Sequence, residues 1–423
     1  MSDSDPCFPD PLAPTPDSPA ALPRSLGRRE LAGIAAVAAA APVIALVPQA
    51  GHAAPGRGPA TTPRRLRLQR EPGSPVSALD VPLDVDSVAN ARTVAGGALR
   101  TPVLETTTSF SMLGVTWRSG EGRVRARARR VGGDWSGWRE LPALHDGPDP
   151  DSAEGRRTPP ATHPVWFGAC DAVQVEISGG ARRPVLALID PGSRREDRVT
   201  AGREVVAEED GTAQKAGGKV KQPKILTRKV WGANDKLRNG KPDRIGTVKQ
   251  VHVHHTVNSN DYARKDVPGM IRGMYRYHTN NLGWADLGYN FLVDRFGRIW
   301  VGRKGSIRTG KNMVQGAHTL GFNHASVGIS VIGNFESGKP NKNILWAVAR
   351  VASWKLDAFG RDPLGKVTIK STGSDKYGAG KKVKLRVIDG HRDTNDTACP
   401  GRYLYAALPN IRRRAARRIN ASG

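Results

Sequence analysis

The chain has 423 residues, a length that excludes a single ordinary domain and predicts two folded units joined by connecting segments. Its 65 lysines and arginines outnumber 39 acidic residues and give a formal net charge of +26. A basic excess of this size favours polyanionic partners, among them nucleic acid, phosphate-rich wall polymers and anionic membranes. Which of these partners the protein can meet depends on its cellular location, and the N-terminal sequence predicts that location.

The N-terminal segment has the pattern of an export signal. Arg28 and Arg29 precede an apolar, Ala-rich run that ends near Pro48, and small residues follow at 50–54. A basic region, a short apolar region and small residues before a break are typical of a secretory signal, and the paired arginines indicate the twin-arginine route. A membrane anchor is the alternative. Because the run is short and lacks a stop-transfer pattern, we predict a signal peptide over 1–54.

Export predicts a secreted protein and argues against nucleic acid as a partner. No other stretch is apolar and long enough to span a bilayer, so we expect no transmembrane segment in the mature form. Cys7 would leave with the signal, so that Cys170 and Cys399 remain. A disulfide between them is compatible with export, but the apolar residues on both sides of Cys170 predict a buried strand there. Nothing in the sequence demands an assembly, so we expect a monomer.

The region before the second folded unit is predicted to be all-β. Residues 55–90 are rich in Pro, Arg, Ala and Gly and are interpreted as a linker. Over 91–192, short alternating segments recur between Gly, Asp and Pro clusters, which predicts a small antiparallel sandwich. Residues 193–224 are again charged and Gly-rich, and we interpret them as a second linker.

Two features of the predicted sandwich bear on binding. Trp135 and Trp138 lie in a tight turn and could form a carbohydrate platform, but because Trp is highly buried on average, we expect them to fill the core. Arginines alternate along a nearby strand and could meet anionic wall polymers, although such a run is usually a solvated face. These arginines are Arg123, Arg125, Arg127, Arg129 and Arg130.

The second unit, 225–423, is predicted to be a mixed central β-sheet flanked by helices. A strand is expected over 248–255, a helix over 266–280 and a second helix over 341–359, because their apolar residues recur at strand and helix periods. A hairpin over 289–302 and a strand over 327–332 add to the sheet. Strands that alternate with helices favour this α/β arrangement. The basic residues 412–418 predict a solvated tail helix.

One constellation in this unit indicates a metal site. His391 and Cys399 flank a segment of residues that favour turns, and such a loop can bring both side chains to one ion. Zinc favours imidazole and thiolate, with three protein ligands in catalytic sites. A strand with His252, His254 and His255 can supply the third ligand, and alternation places His252 and His254 on one face. The alternative is a small buried cysteine and satisfied core histidines.

From 227 to 403 the chain resembles the peptidoglycan recognition protein family of zinc N-acetylmuramoyl-L-alanine amidases. The resemblance rests on motifs that occur in order along the chain, at 231–233, 254–256, 277–278, 283–284, 286–293, 316–318, 326–335 and 390–401.

This resemblance implies a function and a role for particular residues. It implies a zinc hydrolase that cleaves the amide bond between N-acetylmuramic acid and L-alanine in peptidoglycan, with a cell-wall location. The implied zinc ligands are His254, His391 and Cys399. Tyr289 matches the family's catalytic tyrosine, and Thr397 stands where the recognition proteins carry Thr and some phage-type relatives carry a catalytic Lys. His255, Trp284 and His318 are the residues expected to line the substrate groove.

Two other functions compete with hydrolysis. The first is non-catalytic recognition of muramyl peptide, since binding members of the family typically lose the Cys and often the first His. The second is a wall-anchored structural protein that uses its charge, but this would leave the metal constellation unexplained. Because His254, His391, Cys399 and Tyr289 are all present, the sequence favours the enzyme. No Glu stands at an obvious general-base position, so the sequence assigns no general base.

Overall fold

The computed structural model describes residues 65–83, 92–94, 97–199 and 218–422, all within one compact unit. The predicted export signal over 1–54 lies outside the described residues. So do 55–64 and 84–90 of the first predicted linker and 200–217 of the second. Among the described residues, no helix has the length and apolar character needed to cross a membrane.

The N-terminal part is an all-β domain whose strands are antiparallel to their neighbours. Its strands are β1 (Gln69–Arg70), β2 (Ser77–Pro82), β3 (Arg92–Val94), β4 (Ala98–Arg100), β5 (Leu104–Thr116), β6 (Gly122–Arg130), β7 (Arg139–Leu141), β8 (Val165–Gly179) and β9 (Val185–Asp190). The long strands β5 and β8 each pair with several others, and side chains such as Phe110, Val173 and Leu188 form a buried core between them. Cys170 lies in β8 and is buried, as predicted, and both described cysteines are free thiols.

The sheet extends into the first predicted linker. β2 pairs along its whole length with β9, and β1 pairs with β2, so the prediction of a linker over 55–90 is wrong for these strands. The composition gave no indication of these strands because they pair through backbone groups. A Pro- and Arg-rich segment can still form such pairs near the edge of a sheet. In the second predicted linker, Arg195–Val199 forms a short helix, α1.

The two tryptophans of the turn are half-buried at the surface, so the prediction that they fill the core is wrong. Arginine side chains stack over their rings, with Arg127 5.0 Å from the centroid of Trp135 and Arg100 5.5 Å from that of Trp138. Such cation–π contacts are attractive and cover ring faces that do not pack in the apolar core.

The arginines of β6 alternate with buried residues, as the period-two pattern requires. Their face is not simply solvated, because several of them pair with side chains of β8. Arg125 Nε donates to Glu176 at 3.0 Å, and Arg129 Nε donates to Asp171 at 2.8 Å.

The C-terminal part is a mixed sheet covered by helices on both faces. Its strands are β10 (Arg244–Ile245), β11 (Gln250–His255), β12 (Phe291–Val293), β13 (Ile299–Val301), β14 (Met313–Val314), β15 (Ser326–Val331), β16 (Lys366–Lys370), β17 (Lys382–Arg386) and β18 (Ile388–Gly390). Its helices are α2 (Arg228–Trp231), α3 (Val267–Arg276), α4 (Lys342–Asp357) and α5 (Arg402–Asn420). The central sheet has the order β13-β12-β15-β11-β18, in which only the β12–β13 pair is antiparallel.

Helices α4 and α5 cover one face of this sheet. Asn341 caps α4, where its side-chain oxygen accepts hydrogen bonds from the backbone N–H groups of Asn343 and Ile344. The predicted tail helix over 412–418 is confirmed as the end of α5, which begins at Arg402. Its arginines are exposed or half-buried, and the helix also has a buried apolar side. That side is made by residues three or four apart, Leu404, Leu408, Ile411 and Ala415.

Helix α3 covers the other face and is itself covered by the β-domain. It continues into a π-helical turn, Tyr277–Asn281, so that the helical region matches the predicted 266–280. Tyr277 Oη donates to carbonyl oxygens of the β-domain, including that of Thr162 at 3.1 Å. The approach is close, because a Cβ on Gly114 of β5 would lie 2.7 Å from the Tyr277 ring. The two domains therefore share one apolar cluster on this side.

Candidate metal centre

The central sheet carries the predicted ligands on the face that meets the β-domain. Val251 and Val253 of β11 face α4 and α5 in one apolar cluster, so alternation turns His252 and His254 to the opposite face. His391 follows β18, the neighbour of β11, and opens a short helical turn. The C-terminal ends of two adjacent parallel strands thus supply two histidines to one place.

The loop after His391 returns Cys399 to the same place. Its ends are held together by the Arg392 backbone N–H, which donates to the Cys399 carbonyl at 2.9 Å. Gly401 ends the loop with a φ of 87° against Phe335, whose carbonyl carbon would lie 2.3 Å from an added Cβ. One ligand atom from each of His254, His391 and Cys399 lies within 4.8 Å of the others, and all three side chains are buried.

His254 is oriented so that its Nδ1, and not its Nε2, can bind a metal. Its Nε2 lies 3.1 Å from Nδ1 of His318, and its Nδ1 lies 3.8 Å from Sγ of Cys399. Burial lowers the pKa of both His254 and His391, which keeps the imidazoles in the neutral form that binds metal. Burial raises the pKa of the Cys399 thiol, so metal binding there would have to release a proton.

Asp146 of the β-domain enters this cluster from the connection between β7 and β8. Its Oδ1 lies 3.1 Å from Nδ1 of His254 and 3.1 Å from Nδ1 of His391. Its Oδ2 accepts a hydrogen bond of 2.6 Å from the Tyr289 hydroxyl. Sequence reasoning missed Asp146. The available signal was the acidic stretch 145–154 in a very basic chain, but no spacing rule connects it to ligands as far along the chain as His254 and His391.

The side chains present fit a zinc ion. Asp146 Oδ1 and His391 Nδ1 are both buried and lie 3.1 Å apart, but no hydrogen bond joins them. Buried polar atoms are rarely left without a partner, and a cation between them would satisfy both. Two imidazoles and a thiol are a donor set typical of zinc.

Tyr289 lies just before β12 and its ring centroid is 5.6 Å from that of His254. Burial, together with the negative charge of Asp146, raises the pKa of Tyr289 well above its ordinary value. The phenol therefore stays protonated and is a hydrogen-bond donor beside the cluster. Thr397 lies in the ligand loop, where its Oγ1 accepts a hydrogen bond of 3.2 Å from the backbone N–H of Cys399.

The three residues predicted to line the groove are all buried. His318 lies behind His254 and contacts its Nε2, as described above. His255 is on the other side of β11, and its Nδ1 accepts a hydrogen bond of 3.2 Å from the Phe335 backbone. Trp284 Nε1 donates to Thr158 of the β-domain at 3.0 Å. In the described arrangement none of them faces open solvent.

Two family models match the chain. One is described as Rv3811 N-terminal galactose-binding domain-like and matches residues 68–210, and the other is described as N-acetylmuramoyl-L-alanine amidase and matches residues 244–402.

Similar proteins include recognition proteins and an amidase. Peptidoglycan-recognition protein SC1a of Drosophila melanogaster is 31% identical over 153 residues, which are 36% of this chain and 68% of the relative. The N-acetylmuramoyl-L-alanine amidase of Homo sapiens is 30% identical over 191 residues, 44% of this chain and 28% of the relative. Among solved structures, wild-type Drosophila PGRP-LB is 28% identical with a TM-score of 0.34 and covers 44% of this chain and 91% of its own.

Proposed function

The chain belongs to the peptidoglycan recognition protein family, and from this premise we propose that it is a zinc hydrolase of peptidoglycan. The bond it cleaves is the amide between N-acetylmuramic acid and L-alanine. The observation that carries the proposal is the convergence of His254, His391 and Cys399 beside the Tyr289 hydroxyl. A module that only binds muramyl peptide has no use for a buried thiol and two imidazoles at one point.

Each residue has a separate task in this proposal. His254, His391 and Cys399 would hold the zinc, which when bound lowers the pKa of water and polarises a carbonyl. His318, through its contact with His254 Nε2, fixes the ring so that Nδ1 faces the site. Tyr289, kept protonated, donates a hydrogen bond to the oxygen of the scissile carbonyl as negative charge develops there.

The remaining expectations are part of the proposal. Thr397 supports Cys399 by accepting a hydrogen bond from the Cys399 backbone N–H, and its hydroxyl helps to position the substrate. The protein is exported through a twin-arginine signal over 1–54 and acts at the cell wall as a monomer. Its positive charge contributes attraction to anionic wall polymers.

The test combines zinc content with product analysis on the purified chain. We expect one zinc per chain and new L-alanine amino termini in digested peptidoglycan. Cys399→Ala should lose both, whereas Cys170→Ala, which removes a buried thiol in the core of the β-domain, should keep both. Because Asp146 stands in the site, the assay includes an Asp146→Ala chain. A zinc-loaded protein that cleaves nothing, with or without Asp146, would overturn the proposal.

A further inference from the structure

The connection between β7 and β8 is bound to the C-terminal domain along its length. We call residues 144–158 the acidic segment, because it contains Asp146, Asp149, Asp151 and Glu154. Residues 146–149 and Glu154 are buried, while much of 150–157 is exposed. A connection of this length could lie on the surface of its own domain, so its burial against another domain requires specific contacts.

Polar contacts anchor the acidic segment at two places that follow Asp146 in the chain, Asp149 and Glu154. Asp149 Oδ1 accepts hydrogen bonds of 3.0 Å from the Gly321 backbone N–H and from Asn323 Nδ2. The Glu154 carboxylate accepts two from Arg303, at 3.0 and 2.7 Å, and one of 3.0 Å from a backbone N–H at position 285. These contacts hold the segment over the metal cluster.

The carboxylate of Asp146 occupies two positions that a substrate needs. One oxygen lies 3.1 Å from ligand nitrogens of both histidines, on the side where a metal would be shared. The other accepts the Tyr289 hydroxyl, which is the donor that we assign to the scissile carbonyl. One oxygen of this carboxylate therefore stands where a metal-bound water would lie. The other stands where the carbonyl oxygen of the substrate would accept the hydrogen bond of Tyr289.

A carboxylate at this position can complete the coordination of a zinc ion. Catalytic zinc sites keep one position open for water, while sites with four protein ligands are closed. A buried carboxylate is costly without a cation, and Asp146 Oδ1 faces Nδ1 of His254 and Nδ1 of His391 at 3.1 Å each. Two neutral imidazoles, a thiolate and a carboxylate would also neutralise a divalent ion.

We propose that Asp146 is a fourth protein ligand of the metal and that the acidic segment keeps the site closed. The chain is then latent, and the wall substrate reaches the metal only after the segment is displaced. This inference rests on the proposed function for the nature of the site, but its test does not depend on cleavage.

The test replaces zinc by cobalt(II) and compares the wild type with Asp146→Ala. In the wild type, azide should leave the cobalt absorption spectrum unchanged, because no ligand position is open to it. In Asp146→Ala, azide should change the spectrum, and a chelator should remove the metal about 10-fold faster or more. Asp151→Ala is the matched control, since this exposed carboxylate of the same segment should leave both properties as in the wild type.

Activity gives a second measurement. If the closed form outnumbers the open form by about ten to one, opening the site raises cleavage about 10-fold. Asp149→Ala provides a second variant in case Asp146→Ala does not fold, because it loosens the segment without touching the cluster. It should also make the cobalt spectrum sensitive to azide and increase cleavage.

The outcomes separate the two proposals. A wild-type cobalt spectrum that responds to azide as strongly as that of Asp146→Ala would overturn the closed site, whatever the activity. The same holds if Asp146→Ala cleaves no faster than the wild type while the wild type cleaves readily. Changed coordination in Asp146→Ala without cleavage by any chain would support the fourth ligand and refute the proposed hydrolysis.

Discussion

The buried pair between Arg303 and Glu154 allows a sharp prediction about the contact between the domains. Arg303 is 1% exposed and donates to both oxygens of Glu154 as well as to the carbonyls of Leu287 and Gln315. Arg303→Met removes all four hydrogen bonds and leaves the carboxylate of Glu154 with one backbone donor. Removal of one partner of a buried pair typically costs about 3–5 kcal/mol. We expect this substitution to fall in that range.

The assay is denaturant unfolding of the metal-free chain, with a matched exposed pair as control. Arg65 pairs with Glu105 at 3.3 Å, but its side chain is 65% exposed, so Arg65→Met should cost less than about 1 kcal/mol. Adding Glu154→Gln to Arg303→Met removes the unpaired charge and should restore about 1–3 kcal/mol. If Arg303→Met costs no more than Arg65→Met, then the pair does not hold the acidic segment as argued.

Three further predictions follow from the site. In the Asp146→Ala background, Tyr289→Phe should lower kcat by about 10²–10³-fold with zinc retained, because it removes one donor to the developing oxyanion; unchanged kcat would assign Tyr289 a structural role. His318→Ala should weaken zinc binding by about 10–100-fold by titration, whereas His324→Ala in a nearby turn should not. Burial lowers the pKa of His278 from 6.5 to about 3, so the unfolded state binds a proton at a higher pH than the folded state does. The free energy of unfolding therefore falls as the pH drops from 6.5 to about 3. His278→Gln should reduce the slope of the unfolding free energy against pH by up to about 1.4 kcal/mol per pH unit, and an unchanged slope would contradict this.

The sequence predicted the C-terminal domain well because its elements have strong local periodicity. The helix capped by Asn341 and the strand with His254 appear within a few residues of their predicted limits. The three candidate ligands converge as expected, since the ends of parallel strands and a turn-rich loop determine their positions. The function of these residues came from a resemblance that covers only this part of the chain.

What the sequence did not predict depends on contacts between distant residues. The pairing of β2 with β9 is made by backbone groups, so the Pro-rich composition of the segment gave no indication of it. Trp135 and Trp138 lie half-buried under arginines of β4 and β6, a contact that their own local sequence does not show. Asp146 is the most important omission, because a single aspartate in a loop has no pattern that assigns it to a site in another domain.

The separation of contacts within the domain interface bears on how the site could open. Tyr277 and α3 bind the β-domain through an apolar cluster that does not include Asp146, Asp149 or Glu154. Leu144, at the start of the acidic segment, packs against this cluster, whereas the residues from Asp146 onward are held by polar contacts, chiefly those of Glu154 with Arg303 and of Asp149 with the backbone near Gly321. Displacement of the residues from Asp146 onward would therefore break hydrogen bonds that water or a substrate can replace, and the shared apolar cluster could stay intact. Because polar contacts exchange with solvent at lower cost than apolar burial, we expect opening to be local to the segment and to leave the domains associated.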